Sequence, residues 1–377
     1  MIFINGRVFV DGEFRECDFG VENGRFAFVG EGHGAEGGEV VDLDGRNVIP
    51  GLVDVHTHGS MGADFSDGDY EGLMEMAKYL ASEGITSYAP AGMTLPYEVL
   101  AKAFATGRRL HDEMPEGHSR LMGIHMEGPF FSEKKKGAQN GAYLRDPDFE
   151  AFEKLQEGCG GLIRIVDVAP ELPGAADFAR KAGRLATVSI AHTDADYEEA
   201  REAIEAGASH LTHLYNAMPP IHHRKPGVIG AGSESDNVVA ELICDGYHVH
   251  PSSVKMAFRL FPNRICLISD SLRCCGMPPG KYELGGQDVF LEEGQPARLA
   301  DGTIAGSASN VYTCMLNAIE YGIPAETAIT AATATPAGAI GAEELIGSIE
   351  PGKYADFVIC DRDFRPLEIY LGGKAVK

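Results

Sequence analysis

His56 and His58 stand one residue apart at the end of the apolar run LVDVHTH (52 to 58). In an extended strand residues i and i+2 project from the same face, so the two imidazoles point to one place. Such a pair alone is weak evidence for a metal. Other apolar runs, however, also close on ligand-type residues: His125 and Glu127 in LMGIHME (121 to 127), His192 in ATVSIAH (186 to 192), His213 in HLTHLYN (210 to 216) and Asp270 in ICLISD (265 to 270). Imidazoles and carboxylates gathered away from water need partners, and a divalent cation provides one. Histidine and carboxylate with a position left for water is the composition of a catalytic zinc site, whereas structural sites are closed and usually rich in Cys. None of the eight Cys falls at a strand end beside these residues. A cation held there lowers the pKa of water from about 15.7 to roughly 7 and polarises a carbonyl, so hydrolysis is the expected chemistry. Hydrolysis also needs a group that carries the water proton to the leaving group. Asp270, ending the last strand, is the candidate; its alternative role is that of a further ligand.

Elements that could bring these residues together follow from the pattern. The runs at 52 to 58, 85 to 90, 121 to 127, 163 to 171, 186 to 192, 210 to 216, 238 to 246 and 265 to 270 are eight buried-strand candidates, each followed by helical periodicity. Short apolar strands alternating with helices indicate a parallel sheet, and eight of them predict a (β/α)8, TIM-like barrel with its chemistry at the C-terminal strand ends. The first fifty residues and the end, IGSIEPGKYADFVICDRDFRPLEIYLGGKAV, instead alternate short β-prone runs with turns. The expected organisation is therefore a small β-sandwich domain from residues 1–50 and 345–377, with part of 276–305 as a candidate addition, and a catalytic barrel over 51–344.

Composition narrows the partners. The 377 residues carry 32 Lys+Arg against 56 Asp+Glu, a formal net charge of -24, which opposes attraction to nucleic acid or anionic lipid. With 44% hydrophobic and 23% charged residues the chain can bury a large core. No stretch reaches about 18 uninterrupted apolar residues, and MIFINGRVFVDGEF has neither the basic start nor the apolar run of a signal peptide. A cytoplasmic protein with reduced cysteines is expected, and the adjacent Cys274 and Cys275 are read as packing beside a turn.

Seven segments make the expectation specific. VIPGLVDVHTHG, HMEGPF, SIAHTDA, THLYNAMPPIHHRKPGVIG, DGYHVHP, ISDSL and AGSASN, in this order and at these intervals, resemble the N-acetylglucosamine-6-phosphate deacetylases, a branch of the amidohydrolase superfamily. The resemblance runs from about residue 45 to the terminal PGKYADFVI. It implies hydrolysis of the acetamide of N-acetyl-D-glucosamine 6-phosphate to glucosamine 6-phosphate and acetate. It assigns the principal metal to Glu127, His192 and His213, a second to His56 and His58, and general acid/base duty to Asp270. One or two divalent metals per subunit are thus expected, zinc first, with iron, manganese or cobalt as alternatives. Substrate contacts carry over to Ala138, Gln139, Asn216, Ala217, Arg224, His248, Ile304, Ala305 and Gly306. Arg224 is expected to reach the phosphate in a neighbouring subunit's site, which implies a homodimer. Two departures stand out: Gln139 occupies a position where many relatives carry histidine, and Ser271 one where alanine is frequent. Lys134, Lys135 and Lys136 are read as a solvated run outside the site. The rival functions are the same reaction on the galactosamine epimer and, further off, a cyclic amidase or deaminase; a non-enzymatic scaffold is disfavoured because every ligand and the acid/base are present.

Overall fold

A computed structural model describes residues 1–30 and 39–376. The eight apolar runs form the strands of a barrel: β1 (Leu52–Thr57), β2 (Ile85–Gly92), β3 (Ile124–Met126), β4 (Ile163–Val168), β5 (Thr187–Ile190), β6 (Ala208–Leu211), β7 (Val239–Ile243) and β8 (Ile265–Ile268). Each pairs in parallel with the next. The seam between β8 and β1 is closed just beyond the strands, where Asp270 N–H donates to the His56 carbonyl at 2.9 Å and His58 N–H to the Ser271 carbonyl at 2.8 Å. The barrel is therefore shut at the end where the ligand-type residues lie.

Two apolar layers hold it. Inside, Val53, Val55, Ala89, Ile165, Ile243 and Ile268, from five strands, meet in one buried cluster. Outside, the strands bury their other face against amphipathic helices. Helix Tyr70–Ser82 turns Leu73, Met76, Ala77 and Leu80 inward, the three- and four-residue spacing of one helix face, and its first turn is capped by the Asp69 carboxylate, which accepts from Gly72 N–H. Helix Tyr197–Glu205 begins in a capping box formed by Asp196 and Glu199.

Strands from both ends of the chain share one eight-stranded sheet. Phe357–Cys360 pairs antiparallel with Asn47–Pro50, which lies parallel to Ile2–Val10. Phe3, Phe19, Phe26, Phe357 and Tyr370 pack together in its core, with Phe3 stacked on Phe19 at 4.7 Å between ring centroids. Residues 31–38 and 377 of the terminal segments lie outside the described residues. The candidate addition at 276–305 is corrected: Gly280–Leu284, Gln287–Leu291, Ala297–Leu299 and Ile304–Gly306 form a separate four-stranded sheet. Its buried residues Leu284, Val289 and Ala297 pack on Met93, Ala138 and Leu272. These are residues of the barrel mouth, so this sheet serves the cavity rather than the terminal sheet. Among the described residues no helix is long and apolar enough to cross a membrane. Cys274 and Cys275 are buried free thiols.

Candidate active site and cation-binding cluster

His192, His213 and Asp270 each stand two residues beyond the last residue of their strand, and all three have left-handed backbones, with φ of 43°, 32° and 49°. Non-glycine residues avoid this region, at a cost of about 1–3 kcal/mol each. The ends of β5, β6 and β8 thus turn by the same device, and each turn aims a side chain into the barrel mouth. Glu127 follows β3 directly. The next residue, Gly128, has φ +104°, and a Cβ there would lie 2.2 Å from Thr94 Oγ1, so the GPF turn that sets Glu127 has room only for glycine.

The Glu127 carboxylate is the centre of the cluster. Its Oε1 lies 3.2 Å from both His192 Nε2 and His213 Nε2 and 3.5 Å from His56 Nε2; its Oε2 lies 3.4 Å from His58 Nε2. Asp270 Oδ1 lies 3.3 Å from His58 Nε2 and 3.7 Å from His56 Nε2. Gln139 is fixed by Thr94 N–H, which donates to its Oε1 at 2.8 Å, and its Nε2 donates to Glu127 Oε2 at 2.5 Å. All six ligand and acid/base candidates are buried.

The donor set fits a divalent cation. His192 Nδ1 donates to the Lys135 carbonyl at 2.9 Å, which leaves Nε2 as the lone-pair nitrogen of the neutral ring. That nitrogen sits 3.1 Å from His213 Nε2. His56 Nε2 and His213 Nδ1 are buried without a hydrogen-bond partner among the described residues, a costly condition in a dry interior. Three groups of three ligand atoms come together: Glu127 with His192 and His213, Glu127 with His56 and His58, and, beneath the cavity floor, Glu241 with His56 and His125. Histidine and carboxylate without thiolate suit zinc, iron, manganese or cobalt alike.

Charge follows the same arrangement. Burial pushes the Glu127 carboxyl upward, but its contacts with the His192 and His213 rings and the charges of His56 and His58 outweigh it and hold the group well below the usual carboxylate range. Asp270 is likewise lowered: burial opposes ionisation, and the His58 contact prevails. Burial acts downward on His58 and His213, yet Asp270 and Glu127 raise both to about 9.

A cavity of about 300 Å³ opens over this floor. His58, Glu127, Gln139, His192, His213 and Asp270 line its base, and Ala138, Asn216, Ala217, His248, Ile304, Ala305 and Gly306 its walls. His248 Nδ1 is tied to Asp245 Oδ2 at 2.7 Å. Burial opposes ionisation of Asp245, but its bond with His248 lowers it. Of the residues named from sequence, His56 lies beneath the floor, and Arg224 is not among the lining residues: it is exposed, with its guanidinium 2.6 Å from His223 Nε2. The lysines need a correction. Lys134 and Lys135 line the cavity, because the loop after HMEGPF is anchored to the site through the Lys135 carbonyl. Lys134 is paired with Asp194 at 2.8 Å.

His125 does not join the Glu127 cluster around His192 and His213. Its Nε2 contacts Asp167 Oδ1 at 2.9 Å and its Nδ1 the Val55 carbonyl at 3.1 Å. Both ring nitrogens donate, and against burial the Asp167 charge raises this imidazole to about 10. Sequence reasoning missed Asp167, His210 and Glu241, which are buried under the floor. The signal available was a single acid inside an apolar run, as in IRIVDV and VVAELI.

Known proteins resemble this chain along most of its length. The model of the amidohydrolase family matches residues 47–376. An N-acetylglucosamine-6-phosphate deacetylase of Bacillus subtilis (strain 168) is 40% identical over 321 residues, covering 84% of this chain and 81% of that protein. An N-acetylgalactosamine-6-phosphate deacetylase of Escherichia coli O157:H7 is 32% identical over 339 residues, 89% of each. Among solved structures, a variant N-acetyl-D-glucosamine-6-phosphate deacetylase of Mycobacterium smegmatis in complex with N-acetyl-D-glucosamine 6-phosphate superposes with a TM-score of 0.92 at 30% identity, covering 100% of this chain and 99% of that one.

Proposed function

The chain belongs to the amidohydrolase family, and we propose that it is a cation-dependent deacetylase of N-acetyl-D-glucosamine 6-phosphate, releasing glucosamine 6-phosphate and acetate. The observation that carries this reading is the convergence of Glu127, His192, His213 and His58 with Asp270 on the base of one cavity, with His56 directly beneath it. Glu127, His192 and His213 would hold the principal divalent cation, and His56 and His58 with Glu127 a second. Zinc is the first expectation. Such a cation supplies the Lewis-acid charge that makes an acetamide carbonyl and a water reactive at neutral pH.

The chain's own groups do the rest. The Asp270 carboxylate, ionised and facing the cavity, accepts a proton from the attacking water and returns it to the amine nitrogen as the C–N bond breaks. The Gln139 amide, oriented by Thr94, offers an N–H where the carbonyl oxygen gains charge. Asn216, Ala217, His248 and the strand Ile304–Gly306 line the walls against which the sugar is oriented. Lys135 and, from a neighbouring subunit of a homodimer, Arg224 supply cationic partners for the phosphate; a planar guanidinium suits a phosphate dianion. In this reading residues 1–50 and 345–377 form a supporting β-domain, residues 51–344 the catalytic domain, and the protein works in the cytoplasm.

The galactosamine epimer is the second reading, favoured by the likeness to the Escherichia coli protein. Acetate release from each phosphorylated sugar, measured with metal content on protein purified without added metal, tests both. Comparable or greater kcat/KM on the galacto compound would replace the first reading. No acetate from either after zinc, iron, manganese or cobalt is restored would end both.

A further inference from the structure

Beneath the site lies a carboxylate that belongs to none of the sequence motifs. Glu241 is the middle residue of β7. Its side chain is fully buried and turns into the barrel like its neighbours at i±2, Val239 and Ile243. Its Oε2 accepts from His56 Nδ1 at 2.9 Å and from the His213 backbone N–H at 3.1 Å, while Oε1 accepts from His210 Nε2 at 3.1 Å. The Glu241 main-chain carbonyl accepts from Leu214 N–H at 2.8 Å. One residue of β7 thus grips β1 and the turn after β6.

Each contact has a consequence for the cation site. With Nδ1–H of His56 engaged by Glu241, the lone pair of the neutral ring is left on Nε2, the buried nitrogen that faces Glu127 Oε1 at 3.5 Å. At His213 the same carboxylate holds the N–H of a residue with φ 32°. That conformation aims the ring at Glu127 and needs support from its surroundings. The requirement is for two acceptor oxygens. A glutamine there would set an NH2 against His210 N–H or against the pair from His56 and His213, leaving buried donors unmet.

We infer that Glu241 is a positioning residue of the cation site, a single carboxylate that fixes both the tautomer of His56 and the backbone turn of His213. The inference rests on the reading that these histidines hold a divalent cation. Asp167 provides the contrast: it is equally buried, and its Oδ1 accepts from His125 Nε2 and Thr212 Oγ1. Its hydrogen bonds reach none of the proposed ligands.

The test is cobalt(II) binding to the full-length chain stripped of metal, by competition with a chromophoric chelator and by the visible spectrum of the bound ion. Glu241→Gln is expected to remain folded by circular dichroism, to lose about 10–100-fold in affinity and to show a shifted cobalt band, whereas Asp167→Asn stays within twofold of the unaltered chain. A folded Glu241→Gln with unaltered affinity and spectrum overturns the inference. So does an equal loss in Asp167→Asn, which would mark a general effect of disturbing the barrel interior. Should Glu241→Gln fail to fold, Glu241→Asp, which keeps both oxygens but withdraws them by one methylene, decides by the same readings. Failure of the unaltered chain to bind cobalt is a different result, and it would refute the cation site itself.

Discussion

Asp270 Oδ1 lies 3.3 Å from His58 Nε2, so the proposed proton carrier and a proposed cation ligand are in direct contact on strands that meet at the seam of the barrel. Asparagine at position 270 would keep the shape and one acceptor oxygen but could not take a proton. Asp270→Asn is therefore expected to lower kcat by about 10²–10⁴-fold while metal content and melting temperature stay near those of the unaltered chain. Turnover at the original rate in a metal-loaded, folded variant would remove Asp270 from the mechanism.

Gln139 holds its amide against Glu127 by way of Thr94. Truncation to alanine deletes an N–H donor together with its bond to Glu127 Oε2, and a lost donor of this kind costs about 10²–10³ in kcat. Gln139→Ala should show that loss with little change in KM. Because the amide does not titrate, Gln139→His should add a limb to the kcat–pH profile near the ordinary histidine range, about 6.5. Identical profiles for the two chains would argue that this side chain does not face the reacting carbonyl.

Protons and a cation compete for the same imidazoles. His58 and His213 are both raised to about 9, since their contacts with Asp270 and Glu127 outweigh burial. Their folded pKa exceeds the unfolded value near 6.5, so their contribution to stability in metal-free protein is complete below about 6.5 and is lost as pH rises through about 9. Cation binding needs the neutral rings, so apparent affinity should rise over the same interval and level off above it. The gain in melting temperature on adding metal should thus be larger at pH 8.5 than at pH 6.5. Chelator-treated and reloaded protein, melted at both values, checks this; an equal gain would mean that these histidines release no proton to the cation.

The barrel was legible because its strands are apolar runs ending in polar residues, a pattern that needs no tertiary information. His56, His58, Glu127, His192, His213 and Asp270 were legible for the same reason. The buried layer below them was not. Glu241 and Asp167 sit in mid-strand, where alternation places them inside the barrel but cannot say which donors they meet, since His56, His210 and His213 come from strands distant in the chain. Lys135 is hidden by local composition: three consecutive lysines resemble a solvated run, whereas the His192 hydrogen bond to the Lys135 carbonyl and the Ser132 N–H bond to the His192 carbonyl hold that segment at the cavity.

That same hydrogen bond makes Lys135 easy to test. It uses the main chain, so Lys135→Ala keeps the His192 anchor and removes only the ammonium. If the ammonium meets the phosphate, KM for the phosphorylated sugar should rise several-fold at unchanged kcat, with a weaker dependence on salt, and the unphosphorylated sugar should be handled as before. A parallel change for both sugars would place the lysine outside phosphate recognition.

Arg224 is exposed and is not among the lining residues of its own cavity, so a role in phosphate binding requires the site of a second subunit. Arg224→Ala and Asp270→Asn chains should each be nearly inactive alone. If the chain is a homodimer with shared sites, mixing and exchange give heterodimers in which the Arg224→Ala chain keeps its Asp270 and receives an intact arginine from the other. Each heterodimer then has one complete site. With random pairing, half of the dimers are mixed, and activity should return to about one quarter of the unaltered level. An arginine that served its own subunit would leave both sites of the heterodimer defective, and mixing would restore nothing.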